Sequence, residues 1–331
     1  MIRHAPAVFL PELQALLELT ARAGSDPLLT QGSTGNSSLK QGGTLWIKAS
    51  GRSMADALRD DILIPLDLAE VGECLRMGID PAERYPGASS ETAMHAALPH
   101  RVVLHVHCVN TIAWAVRRDA PAQLRQRLEG LPWQWIPYVA SGLPLGRAME
   151  RALPARPGGA VFVLGNHGLV VAADNVRTVE ALLAEVQERV AIAPRAGFPA
   201  DYARLREICE GSQWNLPDDD GLHRLGTDPI SQTILAGGLL YPCQAIFFGF
   251  PYSYGPFMTV RGRGVVVSRS ITPAERAMLF GLAQVVQRIS TSASLRYLTD
   301  GEVAAISGRS IHHYRARGGL RRVGINRFGP Y

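Results

Sequence analysis

Cysteine is scarce in this chain. Its four cysteines, Cys74, Cys108, Cys209 and Cys243, lie far apart with no Cys-x-x-Cys pair. That excludes a thiolate zinc knuckle and offers no disulfide framework, and a reducing cytoplasmic setting fits it best. Long apolar runs are missing too. Nothing approaches the roughly 18 consecutive apolar residues that a membrane-spanning helix needs, so no membrane association is expected. The opening MIRHAPAVFLPELQALL carries one short apolar patch, interrupted by Pro11 and Glu12, with no small-residue cleavage site after it. Neither sign of charge dominates: Lys plus Arg number 34 against 29 for Asp plus Glu. They are dispersed except for an arginine-rich stretch from Arg315 to Arg322. No aromatic platform accompanies that stretch, so it reads as a solvated basic end, and no nucleic-acid partner is expected.

What is present is a globular composition. The chain has 331 residues, 47% of them hydrophobic, enough for a large core in one big domain or two. Residues 11–23 place apolar side chains at helical spacing behind a proline suited to a first turn. A glycine- and serine-rich loop, QGSTGNSSLK, leads into a strand, TLWIKASG, and residues 61–68 predict another. Ser89 and Ser90 mark the start of a helix running to Leu98. RVVLHVHCV reads as a strand interrupted only by histidines, the segment 111–130 as partly helical, and IPYVASGLPLG as a turn-rich connection to a helix near Arg147–Leu153. VFVLGNHGLVVAA has two β-rich arms around a turn, and a long amphipathic helix follows from about Thr178 to Ile192. This alternation predicts an α/β layered domain over residues 1–195.

Beyond Pro194 the texture changes, and residues 196–331 are expected to form a C-terminal α+β extension. It begins with an aspartate-rich loop, Pro217–Gly221, and a helix around Asp228–Ala236. AIFFGF and FMTVRGRGVVVSR read as strands, the second folded at Arg261–Gly264 into a hairpin. Thr272-Pro273-Ala274-Glu275 has the N-cap, first-turn proline and N3 acid of a helix start. The last fifteen or so residues are expected to be an arm, and His312-His313 a tail feature rather than a second metal site.

His105 and His107, one residue apart in an apparent strand, leave the same face and could converge on one ion. Neutral imidazole suits zinc and similar divalent ions, and a catalytic site needs a third ligand plus an open position. His167, in a Gly-Asn-His-Gly turn between strands, can project into a cleft as that ligand. Taken singly, His-x-His also occurs as packed or surface residues, and His167 would be an ordinary turn histidine.

The blocks GNSSLK with LWIKASG, SSETAMHAALPHRVVLHVH, and GNHGLVV followed by a long helix resemble the class II aldolase/adducin family in order and spacing, over about residues 31–190. The likeness is strongest to the fuculose- and rhamnulose-phosphate aldolases. It implies a three-layer α/β/α fold, a homo-oligomer such as a tetramer, and zinc or another divalent metal on His105, His107 and His167. It also implies Glu91 as the acid/base, and a small sugar-phosphate or related hydroxy-carbonyl substrate. The implied chemistry is aldol cleavage through a metal-bound enediolate, with epimerisation or decarboxylation on the same metal as alternatives and a non-catalytic adducin-like module as another. In the family, small hydroxyl-rich corners bind the substrate phosphate. Here they are Gly35 with Asn36, Ser50 with Gly51, and Ser89 with Ser90, whose amides and hydroxyls suit an anion but also suit ordinary turns and a cap. Lys40 and Lys48 could add charge. One departure stands out: where those aldolases supply a tyrosine as proton donor from a neighbouring subunit, Tyr138 aligns with a structural tyrosine, leaving Glu129 as an alternative donor.

Overall fold

A computed structural model describes residues 10–153, 159–249 and 255–308. The arginine-rich stretch and His312–His313 lie outside the described residues.

The first part runs α1 (Leu10–Ser25), β1 (Asn36–Gln41), β2 (Thr44–Lys48), β3 (Leu63–Asp67), α2 (Leu68–Met77), α3 (Pro81–Arg84), α4 (Thr92–Ala97) and β4 (Val102–Val106). It continues with α5 (Val109–Ala115), α6 (Ala120–Arg127), β5 (Trp133–Ile136), α7 (Leu143–Arg151), β6 (Ala160–Leu164), β7 (Gly168–Ala173) and α8 (Val176–Arg189). The seven strands form one sheet in the order β3-β2-β1-β4-β7-β6-β5. All neighbours are antiparallel except β5 and β6, which pair in parallel and are bridged by α7, as a crossover requires.

The fold is a three-layer α/β/α sandwich, and strand alternation explains it. In β4, Val102, Leu104 and Val106 join Leu16 and Leu19 of α1, Leu124 of α6 and Val179 of α8 in one cluster. Val103 points the other way, into a cluster with Met94 of α4 and Met149 of α7. Both faces are covered, so the strand reads as a nearly unbroken apolar run. Each such side chain taken fully out of water contributes about 1.5–3 kcal/mol. The histidine on the Val103 face is therefore the polar exception in the core, and it marks the site.

The later part comprises α9 (Tyr202–Cys209), β8 (Trp214–Asn215), α10 (Asp220–Thr227), α11 (Pro229–Ala236), α12 (Pro242–Phe247), β9 (Phe257–Val260), β10 (Gly264–Ser268), α13 (Pro273–Val286) and α14 (Asp300–Ser307). β8, β10 and β9 form a small separate sheet. Its apolar cluster includes Val109, Ile112, Ala113 and Val116 from α5 and its end, beside Leu279, Leu282 and Val286 of α13. Helix α5 thus packs on the large sheet with one face and on the C-terminal part with the other.

Several expectations are corrected. Residues 245–249 of AIFFGF form no strand: Ala245 to Phe247 belong to α12, where Pro242 takes a first-turn position and Gln244 accepts hydrogen bonds from the backbone N–H groups of Leu240 (2.5 Å) and Tyr241 (3.1 Å). A short apolar run is equally compatible with either period, and capping decides it. The helix expected from Ser89 begins only at Thr92, with Glu91 in the N-cap position and no side-chain cap bond. The aspartate-rich loop is a helix start, since Asp219 accepts from the Gly221 N–H at 2.7 Å. Strand β5 was hidden between Pro132 and Pro137; pairing along β6 holds it in place. The arginine hairpin and the Thr272–Glu275 capping box are both present.

Candidate metal centre and cavity

Sheet register assembles the site. Asn36 of β1 and His105 of β4 are direct cross-strand partners, and His105 is paired in turn with Val170 of β7, so Asn36 and His105 share a face. His107 lies just past the end of β4, and His167 in the tight turn just before β7. Between β6 and β7, Asn166 adopts φ 51°, a left-handed conformation that asparagine tolerates better than most residues. Gly35 is required as glycine: with φ +67°, a Cβ there would sit 2.8 Å from the His105 carbonyl oxygen.

One nitrogen from each of His105, His107 and His167 lies within 4.8 Å of those of the other two, and all three residues are buried. The Leu169 carbonyl, 3.0 Å from His105 Nδ1, can only accept, which puts the ring proton on Nδ1 and the lone pair on Nε2. His107 Nε2 is 3.1 Å from His105 Nε2. The Glu91 carboxylate closes the arrangement, with Oε1 3.1 Å from His167 Nε2 and Oε2 3.5 Å from His105 Nε2. Ring nitrogens packed this closely beside a carboxylate could hold a shared cation. Two imidazoles on a tetrahedral ion with bonds of about 2.0–2.1 Å would place their nitrogens roughly 3.3 Å apart, close to the separation seen here. The residues present fit a divalent metal.

Glu91 is aimed by a buried chain of hydrogen bonds. Asn36 Nδ2 donates to Glu91 Oε2 at 2.7 Å and to Ser89 Oγ at 3.1 Å, and Ser89 Oγ also accepts from the Glu91 N–H at 3.2 Å. Behind it, Asn36 Oδ1 meets His95 Nε2, while His95 Nδ1 is 2.7 Å from Ser38 Oγ. Burial pushes the His95 pKa down to about 3 against a smaller opposing pull from Glu91, so the ring is neutral and can donate from Nε2 to the asparagine.

A stability prediction follows. An unfolded His95 binds a proton near pH 6.5, whereas the folded one stays neutral to about 3. The unfolded state therefore carries more protons below pH 6.5, and stability present above that value is lost as pH falls. His95 alone should remove about 2 kcal/mol between pH 7 and pH 5. Urea unfolding of wild type and His95→Gln at both pH values should show a smaller drop in the variant; equal drops would refute the assignment.

A cavity of about 170 Å³ opens beside the cluster. Gly35, Ser90, Glu91, His107 and His167 line it, together with Tyr138 and Ser141. The opposite wall comes from the C-terminal part: Pro242, Cys243 and Ile246 of α12, and Glu302, Ala305 and Ile306 of α14. Of the residues proposed to bind an anion, Gly35 and Ser90 reach this wall, Asn36 and Ser89 stand behind it holding Glu91, and Ser50 and Gly51 are not part of the lining. Lys40 and Lys48 are the only lysines in the chain, and both are buried. Lys48 Nζ donates to the carbonyls of Arg52 (2.7 Å), Ser33 (3.3 Å) and Ala49 (3.4 Å), tying two loops together. Lys40 Nζ donates to the Leu98 carbonyl at the end of α4, and burial lowers its pKa to about 8.

Sequence reasoning treated Tyr138 as structural, yet it lines the cavity with the Arg296 guanidinium 5.0 Å from its ring centroid. Glu129 is exposed at the end of α6 and is not part of the lining. Cys243 and Glu302 were not singled out: no linear motif marks Cys243, and Glu302 carries only the Thr299–Glu302 capping box of α14. Among the described residues no helix is long and apolar enough to cross a membrane.

The chain is 24% identical over 220 residues to the uncharacterized oxidoreductase YuxG of Bacillus subtilis (strain 168), covering 59% of this chain and 31% of that protein. It therefore matches only about a third of that curated relative's length. Among solved structures, the N-terminal class II aldolase domain of a conserved Thermoplasma acidophilum protein is 20% identical, with a TM-score of 0.48 over 57% of this chain and 97% of that one. L-fuculose-1-phosphate aldolase from Thermus thermophilus is 17% identical, with a TM-score of 0.35 over 60% and 98%. The family model for the class II aldolase and adducin N-terminal domain matches residues 14–193, more than half of the sequence. The chain belongs to the class II aldolase and adducin N-terminal domain family.

Proposed function

We propose that this chain is a zinc-dependent aldehyde-lyase that cleaves the carbon–carbon bond beside the carbonyl of a ketose phosphate or a related hydroxy-carbonyl compound. In this reading residues 1–195 are the catalytic domain, residues 196–331 are an extension over it, and the chain works as a homo-oligomer. The observation that carries the proposal is the convergence of three buried imidazoles with the Glu91 carboxylate beside a cavity that Glu91, His107 and His167 line. A non-catalytic module has no physical need for such a cluster, because burying it without a cation costs stability.

His105, His107 and His167 would hold the zinc, which when bound supplies Lewis acidity toward a carbonyl oxygen. The protein's own groups do the rest. Glu91 is the base that takes a substrate hydroxyl proton at a carboxylate oxygen, and Asn36, held by His95, fixes which way that carboxylate faces. Gly35 and Ser90 give the near wall an amide and a hydroxyl for the polar end of the substrate. Val139, Pro242 and Ile246 give the cavity apolar surface that limits water around the reacting carbon.

The test is metal analysis of the purified protein followed by a product assay. Dihydroxyacetone phosphate and unphosphorylated dihydroxyacetone are each offered with a panel of aldehydes. About one zinc per chain and a condensation product with either donor are expected. Undiminished turnover after chelation would overturn the reading.

A further inference from the structure

The metal cluster belongs to the first part of the chain, yet its positioning contacts come in good measure from the C-terminal part. His107 Nδ1 is 3.4 Å from Cys243 Sγ on α12, and Cys243 is buried. With a metal on His107 Nε2, the ring proton would fall on Nδ1, where the sulfur is placed to accept it. The His107 carbonyl accepts from Gln31 Nε2 at 3.4 Å. Gln31 in turn lies against Gly281 of α13, where a Cβ would come within 2.8 Å of its Cγ. The turn bearing His167 is held still more firmly. Asn166 Nδ2 donates to the carbonyls of Leu240 and Arg296, both at 2.8 Å, and Asn166 Oδ1 accepts from Arg296 Nη1 at 3.2 Å. Arg296 is itself paired with Glu302 at 2.5 Å.

Resting on the metal reading above, we propose that the C-terminal part is a clamp on the metal centre: Cys243 orients His107, and Leu240 with Arg296 locks the Asn166–His167 turn. These are positioning residues, none of them a ligand. The physical reason is general. A histidine bound to a metal usually donates its second ring N–H to a fixed acceptor, which sets its orientation and basicity, and losing such a partner typically costs 10–100-fold in affinity. His105 finds that acceptor within the sheet, at the Leu169 carbonyl. His107 lies past the end of β4, beyond the ladder, and takes a side chain from another part of the fold.

The experiment uses the full chain. Zinc dissociation constants are measured by chelator competition for wild type, Cys243→Ala, Cys243→Ser and Asn166→Gly; the last keeps the left-handed backbone but removes the amide. Cys209→Ala, on α9, is the control for loss of a thiol. Cys243→Ala and Asn166→Gly should each weaken zinc binding about tenfold or more. Cys243→Ser, which restores an acceptor, should recover part of the loss, and Cys209→Ala should match wild type. In Co2+-loaded protein the visible absorption bands should shift in Cys243→Ala, a signature that general destabilisation does not produce. Melting temperatures of the metal-free forms show whether each variant folds; if Asn166→Gly does not, the Cys243 series decides alone. Affinities within twofold of wild type, with an unchanged cobalt spectrum, would overturn the clamp and leave the metal centre standing. A wild type that binds no zinc would overturn both.

Discussion

His105→Ala and His107→Ala should each abolish tight zinc binding. The ligand atoms of the three histidines lie within 4.8 Å of one another, and a catalytic zinc is typically held by three protein groups, so deleting one imidazole leaves two of the three histidine ligands. Removing an outer partner of a ligand already costs 10–100-fold, and removing the ligand itself should cost more than about 100-fold by the same reasoning. The two variants should differ in stability. His105 is fully buried and donates to the Leu169 carbonyl, so its loss breaks a buried hydrogen bond worth about 0.5–1.5 kcal/mol net and empties packed space in the core. Chelator competition reads the first effect and thermal unfolding of the metal-free protein the second. A His105→Ala protein that holds zinc as tightly as wild type would show that the imidazoles are core residues and nothing more.

Glu91→Gln should keep the metal and lose turnover. The substitution preserves shape, and the glutamine carbonyl can still accept from Asn36 Nδ2, which reaches the carboxylate at 2.7 Å in the native protein. What disappears is the ability to take a proton, an effect of about 10²–10⁴-fold in rate for a general base. The loss should fall on kcat with KM little changed, because the group acts in the transition state rather than in binding. Turnover within tenfold of wild type would remove Glu91 from the chemistry and reopen the question of the base, with Tyr138 on the same cavity wall as the next residue to replace.

Much of the fold was legible in the chain because local signals and tertiary demands agreed. Thr272 to Glu275 announced a helix by its capping box, and the arms around Gly165–Gly168 announced two paired strands. The readings that failed lacked such agreement. AIFFGF is apolar enough for either period, and the Gln244 side chain bonding back to Leu240 and Tyr241 made Ala245 to Phe247 helical. Strand β5 has four residues between prolines and exists because β6 lies beside it. The anion corners looked alike as peptides, but only Gly35 and Ser90 face the cavity.

The sequence by itself determined the layered α/β class, the His-x-His on an apolar strand, and the blocks that carry the family resemblance. All of these are written in spacing along a single segment, where backbone geometry decides which side chains share a face. Only the tertiary structure decided which residues stand behind the ligands: His95 behind Asn36, Cys243 behind His107, and Arg296 against Asn166 and Tyr138. Cys243 is 136 positions from the histidine it touches, and Arg296 is 130 from Asn166. Contacts over such separations are set by how the layers pack, a property no local pattern encodes.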